Sequence, residues 1–136
     1  MKRILVIDDD DQMRQMLKQT LERAGYEVVD APDGEKGIAL YKEKPADLII
    51  TDLIMPQKDG METVIELKRD FPDAKIIAVS GGSRAMDPND YLHYATQVGA
   101  LHTFTKPFDC EEIIKTIRVE LQQQEEIAGR SRISSA

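Results

Sequence analysis

The chain has 136 residues, 41% of them hydrophobic and 32% charged, which suits one soluble domain with a sizeable buried core. A net charge of −7 repels a phosphate backbone and disfavours generic nucleic-acid binding, while favouring a cation or a partner with a basic patch. No apolar run approaches the ~18 residues of a membrane span, the amino terminus is too short in apolar residues for a signal peptide, and one cysteine excludes an internal disulfide or a Cys-based zinc cluster, so a cytoplasmic protein without membrane contact is expected.

In chain order, residues 2–9 read as a strand: Ile4, Leu5, Val6 and Ile7 are continuously apolar, and the aspartates at 8–11 follow. Met13, Met16, Leu17, Thr20, Leu21 and Ala24 recur at helical spacing, Gly25 stops that helix, and Asp10 or Asp11 caps its start. Residues 27–31 form a shorter, more polar strand. The turn Pro32-Asp33-Gly34 leads into a helix carrying Ile38, Leu40 and Tyr41, which ends before Pro45. Residues 47–52 are a strand that breaks at Pro56 and Gly60. Met61, Val64 and Ile65 mark a third helix, closed near Pro72. Residues 75–80 are a fourth strand, 81–88 a polar loop, and Tyr91, Leu92, Tyr94, Ala95 and Val98 a fourth helix closed by Gly99. A fifth strand covers 101–105. The last helix starts near Cys110, with Asp109 and Glu112 spaced as a capping box and Ile113, Ile114, Ile117 and Leu121 on one face. From Gln122 the apolar pattern thins, so residues 1–124 are expected as one domain and 125–136 as a disordered tail, with a protruding helix as the alternative.

Five β-α alternations joined by short loops imply parallel crossovers, hence an α/β fold with helices on both faces of the sheet. The runs at 4–7, 48–50 and 76–79 are apolar at every position, as strands buried on both faces must be. Glu27, Asp30, His102 and Thr103 make the other two strands read as edges. The doubly wound, flavodoxin-like order 2-1-3-4-5 satisfies both conditions.

In such a sheet the carboxyl ends of all strands share one edge, where ligands bind at the switch point. Strand one brings Asp8 and Asp9 there, strand three Asp52, strand four Ser80 and the end of strand five Lys106. Three close carboxylates raise one another's pKa unless a cation neutralises them, and hard oxygen donors suit Mg²⁺. Beside such an ion a carboxylate is a plausible nucleophile toward phosphorus, with Ser80 and Lys106 placed to bind phosphoryl oxygens. The aspartate run is not an EF-hand loop: it lacks the glycine at the sixth position. Cys110 falls in a first helical turn, where the dipole is expected to lower its pKa. His93 and His102 lack metal-ligand spacing.

These residues resemble a receiver domain of a two-component response regulator. The resemblance covers roughly residues 3–121 and rests on Ile4-Leu5-Val6-Ile7-Asp8-Asp9, on Asp47-Leu48-Ile49-Ile50-Thr51-Asp52-Leu53-Ile54-Met55-Pro56 with Asp59-Gly60, on Ser80, and on Lys106-Pro107-Phe108. It implies that Asp52 accepts a phosphoryl group from a sensor histidine kinase or phosphotransfer protein. Asp9, Asp52 and the Ile54 carbonyl would ligate Mg²⁺, with Asp8 assisting through water. Lys106, preceding a peptide bond often cis in the family, and Ser80 would bind the phosphoryl group, and Ser80 would report it to the surface of helix four, strand five and helix five. That surface implies a docking partner downstream, and a homodimer. With no output domain after helix five, a stand-alone receiver acting by docking or phosphorelay is expected, its only catalysis being its own phosphorylation and hydrolysis. Thr103 stands where the family commonly has an aromatic switch residue, with Phe104 beside it, and the segment from Ser80 to Gly99 is a few residues longer than usual.

Two rivals make different demands. A phosphohydrolase of the haloacid-dehalogenase kind would match Asp8 and Asp10, but Asp11-Gln12 replaces its Gly-Thr. A receiver fold used only as a scaffold would not require Asp8, Asp9, Asp52, Ser80 and Lys106 together.

Overall fold

In a computed structural model the chain is described over residues 1–53, 60–80 and 88–134, with backbone alone at 88–92 and 123–134. The elements alternate without exception: β1 (Arg3–Ile7), α1 (Asp11–Arg23), β2 (Glu27–Ala31), α2 (Gly34–Glu43), β3 (Leu48–Asp52), α3 (Gly60–Asp70), β4 (Ile76–Ser80), α4 (Pro88–Gln97), β5 (His102–Thr105) and α5 (Cys110–Ser134). The strands form one parallel sheet in the order β2-β1-β3-β4-β5.

Burial explains the order. Every residue of β3 and β4, and all but the first of β1, is buried, whereas β2 and β5 are mostly half-exposed. Alternate side chains feed two separate apolar layers. Leu5, Ile7, Ile49, Ile76 and Ala78 meet Ile38 and Tyr41 of α2, Val64 and Leu67 of α3, and Ala95 of α4. Ile4, Val6, Leu48, Ile50, Ile77 and Val79 meet Leu17 and Leu21 of α1 and Ile113, Ile117 and Leu121 of α5. Each buried Ile or Leu is worth about 1.5–3 kcal/mol of transfer free energy, so both layers hold the sheet between its helices.

Helix ends follow local chemistry. Asp10 is the N-cap of α1, its carboxylate accepting from the Gln12 and Met13 amides, so the cap is Asp10 rather than Asp11. Gly25, at φ 101°, takes the left-handed turn after that helix. The Asp109 carboxylate accepts from the Glu111 amide at the start of α5. Cys110 opens that helix, but burial, and then the charge of Asp109, push its thiol pKa up, against the lowering expected from the dipole alone. Helical backbone continues to Ser134, through the segment where the thinning pattern suggested a disordered tail. Among the described residues no helix is long and apolar enough to cross a membrane.

Candidate phosphoryl-transfer and metal site

The β1–α1 turn sorts its four aspartates into different jobs. The Asp8 amide donates to the Ala31 carbonyl, extending the β1–β2 ladder one residue beyond Ile7. Asp8 Oδ1 accepts from the Asp10 amide at 2.9 Å, which folds the chain out of the sheet. Asp10 is then consumed as the helix cap, and Asp11 pairs with Arg14 at 2.6 Å. Asp9 is exposed and accepts no hydrogen bond among the described residues.

Register brings the partners. Ile7 lies opposite Thr51, so one residue on, Asp8 and Asp52 stand at the ends of neighbouring strands. Both are buried, Asp8 to 3% and Asp52 to 6% exposure. Leu53 donates to the Val79 carbonyl and Gly60 to the Leu53 carbonyl, which ties the start of α3 to the end of β3. Gly60 is needed there: a Cβ would strike the Asp52 carbonyl oxygen and the Leu53 Cα. On the next strand Ser80 is fully buried, and its carbonyl accepts from the Lys106 amide at 2.8 Å.

Lys106 closes the arrangement. Its Nζ donates to Asp8 Oδ2 at 3.2 Å and to Asp52 Oδ2 at 3.1 Å. Burial alone would lower the lysine pKa, but the charges of Asp52 and Asp8, with their hydrogen bonds, outweigh it and the net shift is upward. The ammonium is thus held charged between two carboxylates, and the Lys106–Pro107 peptide bond is cis.

One carboxylate oxygen from each of Asp8, Asp9 and Asp52 lies within 4.8 Å of the others. A hard-oxygen donor set of that span fits a small divalent cation, with room for bound water. Both Asp8 oxygens already carry a hydrogen bond, whereas Asp9 points to solvent, so Asp9 is the better direct ligand and Asp8 suits a bridging role. The Ile54 carbonyl, expected as a further ligand, lies outside the described residues, as does Asp59.

Sequence reasoning missed Arg14. Its guanidinium binds the Asp8 carbonyl at 2.9 Å, Asp30 Oδ2 at 2.8 Å and Asp11 Oδ1 at 2.6 Å. The Asp11–Arg14 spacing was a visible helical pairing signal, but Asp30 read only as an edge-strand residue. Neither histidine joins the acidic set: His102 pairs with Glu120 at 2.7 Å, and His93 is exposed beside Gln97.

Comparison with known proteins adds a family. The model of the response regulator receiver domain matches residues 4–118. The chain is 34% identical to the chemotaxis protein CheY of Thermotoga maritima over 85% of its own length and 94% of that protein's. It is 36% identical to CheY of Bacillus subtilis, covering 85% and 93% respectively. Among solved structures it resembles the response regulator TrrA of Thermotoga maritima in complex with Mg²⁺-BeF, at a TM-score of 0.77 and 32% identity, over 88% of this chain and 99% of that one.

Proposed function

The chain belongs to the response regulator receiver family, and from that membership we propose that Asp52 accepts a phosphoryl group from a sensor histidine kinase or a phosphotransfer protein. As a CheY-like receiver the chain is a phosphorylation-dependent signalling switch, a signalling protein rather than a classical enzyme. The observation that carries the assignment to Asp52 is the Lys106 ammonium bridging its buried carboxylate to Asp8, beside a donor set that fits a divalent ion.

The chemistry follows from those contacts. A carboxylate oxygen of Asp52 attacks phosphorus, the O–P bond forms, and the P–N bond to the donor imidazole breaks, leaving an acyl phosphate on Asp52. Asp9 and Asp52 would hold Mg²⁺, with Asp8 assisting through water, and the ion would supply positive charge against the phosphoryl oxygens; the Ile54 carbonyl, the further ligand that the resemblance implies, lies outside the described residues. Lys106, already 3.1 Å from Asp52 Oδ2, neutralises a further oxygen as the charge moves out from the carboxylate. Ser80, at the end of the neighbouring strand, hydrogen-bonds a phosphoryl oxygen and so carries the change toward β5. Water returns the site to its starting state by hydrolysing the acyl phosphate. The receiver unit is read as residues 1–124, docking to a downstream protein through the α4–β5–α5 face, where a second copy would also bind.

The TrrA complex, which holds Mg²⁺-BeF, supports the metal reading by likeness. The test is intact mass after incubation with acetyl phosphate and Mg²⁺. Wild type gains one phosphoryl group, and Asp52→Asn and the chelated sample gain none. A gain that persists in Asp52→Asn places the acceptor elsewhere. No gain by a folded wild type, from acetyl phosphate or a kinase, favours a scaffold role.

A further inference from the structure

Asp9 is the exposed member of the acidic set, and among the described residues nothing hydrogen-bonds its carboxylate. Its direction therefore depends on the backbone that carries it. That backbone is pinned on two sides. Downstream, Asp10 caps α1 and the Arg14 amide donates to the Asp10 carbonyl. Upstream, the Asp8 carbonyl turns away from the ladder and accepts from Arg14 Nη1 at 2.9 Å. The Asp8 carbonyl and the Asp9 amide share one planar peptide unit, so a bond on that oxygen sets the plane from which the Asp9 Cα departs.

Arg14 is itself held. Its Nε donates to Asp30 on β2 and its Nη2 to Asp11 on α1, its side chain is only 12% exposed, and Lys18 lies 3.5 Å from the other Asp30 oxygen. A guanidinium presents its donors in a rigid planar fork and so holds three acceptors on three segments in fixed relative positions, whereas the three donors of an ammonium rotate freely and impose no plane. We propose that Arg14 is a positioning residue for the divalent cation: it locks the Asp8–Asp9 peptide so that the Asp8 and Asp9 carboxylates converge on Asp52. This rests on the reading that a divalent ion binds that set.

Charge and position predict opposite signs. Deleting a cation near a dication would tighten metal binding, whereas releasing the turn weakens it. The experiment is titration of the full chain with Mg²⁺ alone by calorimetry, alongside the unfolding midpoint without metal. Arg14→Gln raises the Mg²⁺ Kd about tenfold, as expected when a group supporting a ligand is lost. Arg14→Lys keeps the charge but not the fork, and also weakens binding. Asp30→Asn, which leaves Arg14 in place but loosens its anchor, weakens it by a smaller factor and stands in should Arg14→Gln not fold. An unchanged or lower Kd in these variants, with only the unfolding midpoint shifted, overturns the proposal and leaves Arg14 a purely structural clamp. Absence of Mg²⁺ binding by the wild type overturns the metal reading, and this proposal with it.

Discussion

Lys106 Nζ lies 3.1 Å from Asp52 Oδ2, although 54 residues separate them in the chain. The pairing makes a statement about pH. The Lys106 pKa is raised above the ordinary lysine value of about 10.5, so the folded state holds this proton more tightly than the unfolded chain does. The stability it contributes is fully present below the unfolded pKa and is lost as pH rises through the folded one. Without metal, wild type should be more stable than Lys106→Met at pH 8, and the difference should shrink above pH ~10.5. Urea unfolding of both proteins across that range checks it; a difference that stays constant up to strongly alkaline pH speaks against the ion pair.

The acidic set should behave as a repelling group that a cation relieves. Without metal, Asp9→Asn is expected to unfold at a slightly higher temperature than wild type, because one like charge is gone. Adding Mg²⁺ should reverse the ranking. At a hundred times its Kd the ion stabilises wild type by about 2.7 kcal/mol, and the variant gains much less. Thermal melts with and without chelator decide this. Equal metal stabilisation in both proteins would remove Asp9 from the ligand set.

Asp10 is assigned to the helix rather than to the ion. Asp10→Ser keeps a side-chain acceptor for the Gln12 and Met13 amides and should be close to neutral, while Asp10→Ala should cost about 1 kcal/mol. Asp10→Ser, which keeps the cap, should leave the Mg²⁺ Kd within a small factor of the wild-type value. A large loss of metal affinity in Asp10→Ser, with stability intact, would make Asp10 a ligand and the cap incidental.

Among the described residues, Gly60 makes the tightest backbone approach beside the site. A methyl group there meets backbone atoms of Asp52 and Leu53, which cannot rotate away. Gly60→Ala should therefore destabilise by about 1–3 kcal/mol, in the range of an overpacked core. It should also slow phosphorylation by acetyl phosphate, since relief of the clash requires the end of β3 to shift. Urea midpoints and the rate of mass gain measure the two effects separately, and an unaltered midpoint is the result that contradicts the packing.

The fold was readable in the chain because parallel strands covered on both faces cannot alternate. The runs at 4–7, 48–50 and 76–79 had to be central, and the polar residues of 27–31 and 101–105 had to be edges. The gathering of Asp8, Asp9, Asp52, Ser80 and Lys106 at one sheet edge follows from topology alone. Finer choices did not, because they depend on distances that no spacing encodes. Asp10 and Asp11 were equivalent as caps until the turn after β1 was seen to spend an Asp8 oxygen on the Asp10 amide. Arg14 was invisible as a bridge because one of its partners is a carbonyl and another lies 16 residues away on β2. Cys110 looked dipole-activated, but partial burial and then a neighbouring aspartate act in the other direction.

The reach of Lys106 also imposes an order in time on synthesis. It contacts Asp8, 98 residues upstream, from a position just past the last strand. At roughly 5–20 residues per second, the two carboxylates leave the ribosome several seconds or more before their cation does. Until β5 is laid against β4, a growing chain carries the aspartates of the site without the ammonium that joins them. A nascent chain that ends before β5 therefore holds Asp8 and Asp52 without the Lys106 ammonium that bridges them in the folded protein.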